Sequence, residues 1–357
     1  MKNTAIKAMS AAVLFATVTA SHAQSSVTLY GVTDVGLVYA SKTANASGDN
    51  VGRTFAMVDS GDIPSLFGMR GVEDLGGGMK TEFDLESGIS LANGGFHSSN
   101  GNLFGRQAWV AIDTGYGQLK AGVQFSPFFS TLHDLDPRHF SEFASMLVMY
   151  ADNVSTTGAF NSNAVTYTSP MLGGFQAQAM IALGGEAGNF PAGRQWSASG
   201  KYTNGSVMID AAIYDGNSGG TVQTPVPSTV AFEGRTLGAA YYYGSLTAKA
   251  SFVNFKVAGG RNNNIYGGGL VYQLTPETEL NAAAWYTSDR DATANHSLMT
   301  ALGVDYRLST RTSLYAQVGL VDNHGAMNTG LSVAAATLVD GARGTTVGAS
   351  VGIEQTF

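Results

Sequence analysis

The chain has 357 residues, of which 13% are charged, about half of the ~25% that is usual for soluble proteins. It contains 46 glycines and no cysteine, which excludes a disulfide framework and thiolate chemistry. The formal net charge of −7 and the lack of any Lys/Arg cluster argue against a nucleic-acid-binding protein.

The first residues follow the pattern of a secretory signal peptide. Lys2 and Lys7 form a basic start, the apolar stretch AMSAAVLFATVTA follows, and Ser21 and Ala23 supply the small residues of a cleavage site. A buried first helix is the alternative interpretation. We predict that residues 1–23 direct export through the inner membrane and are removed, which changes the formal charge from −7 to −9 because two lysines are lost.

The mature chain, residues 24–357, contains no apolar run near the ~20 residues that a spanning helix needs. It is therefore either a soluble periplasmic protein or an outer-membrane β-barrel. The segment Ser65–Ile89 has the alternation of a β-hairpin around a glycine-rich turn. One face carries Met79, Thr81, Phe83 and Leu85, and the other carries Lys80, Glu82, Asp84 and Glu86.

Tight turns and longer polar connections alternate along the whole mature chain. The predicted turns lie at 76–78, 115–117, 171–174, 204–205, 244–245, 275–278 and 309–312. The predicted loops lie near 41–63, 90–104, 125–162, 184–193, 215–233, 258–263, 289–297 and 321–344. Fifteen connections join 16 strands, and this alternation is typical of a transmembrane barrel with its turns in the periplasm.

These patterns predict an all-β fold, a 16-stranded antiparallel transmembrane barrel. A barrel of this size has a water-filled lumen, so we expect Lys80 and Glu82 to face water and Phe83 to face outer-membrane lipid. Aromatic residues near strand ends, such as Tyr241–Tyr243, are typical of interfacial girdles. The chain ends on Phe357 after an alternating strand, which we interpret as the assembly signal that the barrel assembly machinery reads.

Several segments together resemble the trimeric general porins of β-proteobacteria, the Neisseria, Bordetella and Burkholderia type. They are SSVTLYGVTDVGLVYA, LFGMRGVEDLGGGMKTEFDLESG, FGRQAWVAI, YTSPMLGGFQAQAMI and the terminal VGIEQTF. The resemblance covers the mature chain. It implies a homotrimer of water-filled diffusion pores for ions and small hydrophilic solutes, with no cofactor. It also implies that the third loop, after strand five, folds inward and narrows the channel.

In this chain the third loop corresponds to residues 125–162, the longest connection, and such loops are usually functional. Its acidic candidates are Asp134, Asp136, Glu142 and Asp152. The opposing wall would come from strands two to five, whose basic candidates are Arg70, Lys80, Arg106 and Lys120. Acids on a loop facing bases on a wall would set a transverse field, which is one way in which pores select ions.

The chain departs from the resembled family at positions that change the expected ion preference. Leu66 and Val123 stand where a base is frequent, GAFNSNAVTY lacks a frequent base, and Glu354 replaces another. All four departures reduce positive charge. Family members are often anion-selective, but this sequence predicts weak selectivity that slightly favours cations.

Other functions are less well supported by the residues. GASVG at 348–352 fits a serine-nucleophile motif, but only five residues follow it and none is His. A metal site in HDLDPRH, through His133, Asp134, Asp136 and His139, matches no standard ligand spacing. We predict a general diffusion porin of the outer membrane, not an enzyme, with no metal site. A substrate-selective channel is the alternative, and a barrel enzyme is a more distant one.

The predicted cleavage site can be checked by intact-mass measurement of the protein extracted from outer membranes. We expect a chain that begins at Gln24, because Ser21 and Ala23 are the small residues that signal peptidase requires. A mass that still includes Lys2 and Lys7 would contradict this assignment.

Overall fold

The computed structural model describes residues 26–154, 158–220 and 231–357, so the predicted signal peptide lies outside the described residues. The strand segments are β1 (Ser26–Ala40), β2 (Thr54–Asp59), β3 (Leu66–Gly76), β4 (Met79–Gly88), β5 (Gln107–Thr114), β6 (Gly117–Phe125), β7 (Phe160–Thr168), β8 (Phe175–Ala182), β9 (Gln195–Thr203), β10 (Val207–Gly216), β11 (Phe232–Tyr243), β12 (Leu246–Val257), β13 (Asn262–Gln273), β14 (Thr278–Asp289), β15 (His296–Arg307), β16 (Thr312–His324) and β17 (Gly344–Thr356). The helical segments are α1 (Pro127–Leu135), α2 (Met146–Val154) and a 3-10 turn at Ala336–Leu338.

The sheet closes on itself between the first and last strands. From β3 to β17 each strand pairs antiparallel with the next, and β1 pairs with β17 from Val32↔Thr356 to Ala40↔Gly348. The same strand, β1, pairs on its other side with both β2 and β3, so these two segments are pieces of one barrel strand. The described residues therefore form a closed 16-stranded antiparallel barrel, and the predicted fold is confirmed.

The break between β2 and β3 was not expected, since residues 41–63 were predicted to form one loop. The Asp34 carboxylate on β1 accepts the backbone N–H groups of Asp62, at 2.7 Å, and Ile63, at 2.8 Å. Pro64 follows and has no N–H to donate to a strand ladder. The Asp34 carboxylate therefore takes the place of backbone strand pairing for a few residues, and strand pairing with β1 resumes at Leu66.

Side chains alternate between the lumen and the outer surface. The hydroxyl of Tyr30 donates to Asp84 at 2.7 Å and to Glu86 at 3.1 Å inside the barrel. On the outer face, Phe83 covers Gly71, where a β-carbon would overlap its ring. Exposed outward residues include Leu29, Val110, Leu237, Leu302 and Val351. The apolar face of the hairpin thus points outward and its charged face lines the lumen, as the alternation predicted.

The described part of the third loop, residues 126–154 and 158–159, folds into the lumen instead of extending outward. Ser126 caps α1 by accepting the N–H of Phe129. Pro127 occupies the first turn, where a backbone N–H would have no partner within the helix, so its missing N–H costs nothing. The ring of Phe128 then packs against Tyr214, Phe232 and Phe255, which belong to the facing wall. This aromatic contact holds α1 against β9–β12.

Within the described ranges, no helix is both long and apolar enough to cross a membrane.

The seam between β1 and the carboxyl terminus gives a test of barrel closure. Gly31 exchanges backbone hydrogen bonds with Phe357 at 3.1 and 3.0 Å. A β-carbon at Gly31 would overlap the Phe357 ring and lie 2.7 Å from the Leu66 carbonyl oxygen. Overpacking of this kind costs about 1–3 kcal/mol. We expect Gly31→Ala to lower the temperature at which the barrel unfolds.

The measurement is the shift in gel migration after heating over a range of temperatures. Gly115→Ala is the matched control, because a β-carbon there would meet no atom within 4 Å. Equal unfolding temperatures for the two variants would contradict tight packing at the seam.

Candidate pore constriction

A buried network holds the third loop in place. Arg138, which is 2% exposed, donates to the side chains of Asn281 on β14 and Gln317 on β16. The Asp136 carboxylate accepts three backbone N–H groups of the same loop, those of Arg138, Phe140 and Met146, at 2.9 to 3.2 Å. The loop tip therefore has a fixed position relative to the far wall of the lumen.

Two of the four loop acids predicted from the sequence, Asp134 and Asp152, pair with bases outside the loop. Asp134 forms an ion pair with Lys201 on β9 and has His133 at 3.8 Å. Burial acts to raise the pKa of Asp134, but the hydrogen bonds from His133 and Lys201 hold it below its ordinary value. The acid therefore stays ionised, with its charge matched by a base that the sequence analysis did not single out.

Asp136, which follows α1, and Asp152, which lies in α2, are both buried within the third loop. Asp136 is almost fully buried among the N–H groups that it accepts. Asp152 pairs with Arg261 at 2.7 Å, between Nη1 and Oδ2, and burial raises the pKa of Asp152 to about 7. The structure thus places both acids where they hold the loop, away from the open part of the lumen.

The wall bases proposed from the sequence line the opposite side, on β3–β6. Arg70 lies in register with Asp84, and its guanidinium is 5.9 Å from the centroid of the Tyr30 ring. The ammonium of Lys120 is 5.1 Å from the centroid of the Trp109 ring. Lys80 lies nearer the periplasmic turn, opposite acids on both neighbouring strands. These bases share the lumen face with Glu82 and Asp84, so the wall carries both signs of charge.

Arg106 differs from the other three bases because it is buried and paired. Its Nε lies 2.7 Å from Oε1 of Glu86, and its guanidinium lies 5.9 and 5.5 Å from the ring centroids of Phe125 and Phe160. Arg106 therefore connects the charged wall to a group of aromatic rings at the start and end of the third loop.

An aromatic cavity of about 390 Å³ opens beside Arg106. Four phenylalanine rings line it, those of Phe125, Phe129, Phe140 and Phe160. The remaining lining includes Tyr150, Ile63, Pro64, Ser98, His133, His139, Glu142, Leu147, Ala151, Ala159 and Val333. This aromatic cavity was not predicted from the sequence. The run FSPFFS at 125–130 was the available signal, but only the folded loop shows that its rings meet Phe140 and Phe160.

Glu142 is the one predicted loop acid that reaches this cavity. It is 3% exposed, and its side chain makes no hydrogen bond to the residues that the structure describes. Burial raises the pKa of Glu142 to about 7, although His97 and Arg106 nearby act to lower it. His97 itself is paired with Asp59 at 3.0 Å. Glu142 is therefore an acid without a bonded partner at the edge of an apolar space.

Phe357, proposed as the assembly signal, lies at the seam described above, with its ring against Gly31 on the outer face.

Comparison with known proteins gives consistent matches. The sequence profile of a Gram-negative porin family matches residues 8–326. Outer membrane porin protein 32 of Delftia acidovorans is 28% identical over 337 residues, which cover 91% of this chain and 92% of that protein. An outer membrane porin protein of Bordetella pertussis is 32% identical over 177 residues, 47% of this chain and 45% of that protein.

Among solved structures, the anion-selective porin from Comamonas acidovorans superposes with a TM-score of 0.77 at 25% identity. The match covers 94% of this chain and all of that one.

The anchoring of the third loop can be tested by removing Arg138. A hydrogen bond to a charged group contributes about 1.5–3 kcal/mol to stability. We expect Arg138→Met to release the loop tip, so that single-channel recordings show larger and noisier currents. Arg311→Met, in an exposed periplasmic turn, is the control and should conduct like the unaltered protein. An unchanged current in Arg138→Met would mean that the loop is held by other contacts.

Proposed function

We propose that this chain, which belongs to the Gram-negative porin family, passes ions and small hydrophilic solutes through the gap between its third loop and the β3–β6 wall. The chain is an outer-membrane diffusion channel and not an enzyme. The observation that carries the proposed path is the loop held inside a closed barrel by Arg138. Conductance in planar bilayers and swelling of liposomes in sugars of increasing size would test the path and its width.

The charges along this gap support weak ion selectivity. Asp134 and Asp152 are matched by Lys201 and Arg261, so the loop presents little net charge to the solute. On the wall, Arg70, Lys80 and Lys120 alternate with acids of similar number. One unit charge at about 10 Å in water contributes only about 0.4 kcal/mol, roughly a twofold change in permeability.

A slight preference for cations follows from the absence of a basic side chain at Leu66 on the wall. Leu66 lies on the lumen face, in the same alternation as Arg70, and supplies no charge where the resembled porins often have a base. Val123, by contrast, lies in register with Ala108 on the outward face, so its lack of charge does not bear on the pore. The mature net charge of −9 adds a field that attracts cations. The Comamonas porin is anion-selective, and we propose that this chain differs from it in sign.

We also propose that the chain forms a homotrimer, that the barrel assembly machinery recognises Phe357, and that lipid contacts the outward apolar residues. Resemblance to trimeric porins supports the trimer, and the exposed outward leucines and valines support the lipid contact.

A substrate-selective channel is the second candidate function. The aromatic cavity favours it, since a general diffusion pore has no need of four clustered rings in its lumen.

Reversal potentials in a KCl gradient test the ion preference. We expect a small preference for potassium in the unaltered protein and a shift of about twofold towards chloride in Leu66→Arg, because the new charge would lie in the lumen. Leu66→Gln is the control for size and polarity and should not shift the ratio. A clear chloride preference in the unaltered protein would contradict the proposal.

Unheated detergent gels test the trimer. We expect a large species that collapses to a single chain on boiling, as closed barrels in stable oligomers do. Chemical cross-linking before boiling should preserve that species. A single-chain species without heating, in mild detergent, would contradict the trimer and leave the channel proposal intact.

A further inference from the structure

We propose that the aromatic cavity beside Glu142 is a binding subsite for small organic cations that carry an aromatic ring, of the arylalkylammonium class. This inference rests on the proposed function, because the ligand would reach the cavity as a solute in the channel.

The walls of the cavity suit a flat apolar body. Phe125 and Phe129 are stacked with ring centroids 5.2 Å apart, Phe160 lies 5.4 Å from Phe125, and Phe140 meets Phe129 edge-on at 5.1 Å. The volume of about 390 Å³ falls in the range of small-molecule sites. Aromatic faces of this kind attract cations as well as other rings, so they can hold both parts of the proposed ligand.

The charges around the cavity select a cation over an anion. Arg106 is matched by Glu86 at 2.7 Å, His139 by Glu279 at 2.6 Å, and His133 lies 3.8 Å from Asp134. Among the described lining residues, the basic groups are thus already next to carboxylates. An anionic ligand would have to displace one of these acids.

Glu142 is in the opposite situation. Glu142 is only 3% exposed and lines the cavity. Its side chain has no hydrogen-bond partner among the described residues. A buried carboxylate without a partner is costly, and an incoming ammonium group would remove that cost by an ion pair. The unpaired carboxylate of Glu142 favours a cationic group, and the rings around it favour an apolar group. Together they fit a ligand in which an ammonium group is attached to an apolar body.

The cavity lies on the extracellular side of Arg70 and Lys120. Its lining combines the third loop with Pro64, in the break between β2 and β3, and with Ser98 and Val333, from two loops between strands. A solute arriving from outside would meet this subsite before the gap along Arg70 and Lys120. Binding there would raise the local concentration of such cations at the entrance to the gap.

The test uses phenethylammonium as the probe in planar-bilayer recordings of the full mature protein. We expect brief interruptions of the current whose frequency rises with probe concentration. Three comparators separate the two features of the ligand: 2-phenylethanol lacks the charge, 3-phenylpropionate reverses it, and ethylammonium lacks the ring. Each should block at least tenfold more weakly than phenethylammonium, and equal block by any one of them would overturn the proposal.

Two variants locate the site. Glu142→Gln keeps the shape of the side chain and should raise the half-blocking concentration of phenethylammonium about tenfold or more. Glu277→Gln removes the same charge from an exposed periplasmic turn and should change it less than twofold. Equal effects of the two substitutions would show that the block depends on overall charge and would overturn the proposal.

A pH series on the unaltered protein gives a measurement that needs no variant. Burial raises the pKa of Glu142 to about 7, so the carboxyl is mostly charged at pH 8 and mostly neutral at pH 6. The charged groups that act on it are His97, Arg106, Asp34 and Asp59. Block should weaken as the pH falls from 8 to 6, and block that is constant over this range would contradict a role for Glu142.

The outcomes separate this inference from the function on which it rests. A protein that inserts and conducts no ions would overturn the proposed function. Normal conductance, with the same block by phenethylammonium and by the comparators that lack its charge or its ring, would overturn the subsite alone.

Discussion

The structure depends on the requirement that every backbone N–H and C=O group inside a lipid bilayer be hydrogen-bonded by the protein itself. A sheet meets this requirement only when it has no free edge. In this chain the edge is removed by pairing Ser26–Ala40 with Gly344–Thr356, the first and last strands of the described sequence. The local composition at the seam follows from that closure, since Gly31 leaves room for the terminal Phe357 ring.

Closure with 16 strands creates a lumen that strand side chains cannot fill, and the third loop occupies much of the remaining space. A loop inside water needs specific anchors, and the chain supplies them as polar contacts to the wall. Arg138, Asp134 and Asp152 all serve this purpose. The charges that the loop uses to stay in place are then unavailable to act on passing ions. A loop rich in acids is therefore compatible with the weak selectivity that we propose.

Much of the fold could be predicted from the sequence because it follows from local rules. Period-two alternation marked the strands, and Gly-rich turns such as 76–78 marked their ends. The break at 60–65 could not be predicted, since it depends on Asp34, which is about 28 positions away and bonds to that segment only in the barrel. The candidate site was predicted less well for the same reason. Lys201 and Arg261 neutralise Asp134 and Asp152. The partners in each pair are far apart in the chain, so no local sequence pattern predicts either pairing.

The anchors of the third loop also set an order of events during biogenesis. Four residues that hold the loop follow it in the chain: Lys201, Arg261, Asn281 and Gln317. The last two belong to strands near the carboxyl terminus. Such contacts join residues more than 100 positions apart in several cases, and contacts of that separation form late. The loop therefore cannot dock until most of the wall has assembled. The channel therefore acquires its final bore only after the strands that carry Asn281 and Gln317 are in place, and a barrel arrested before that point would be a wide, leaky opening in the membrane.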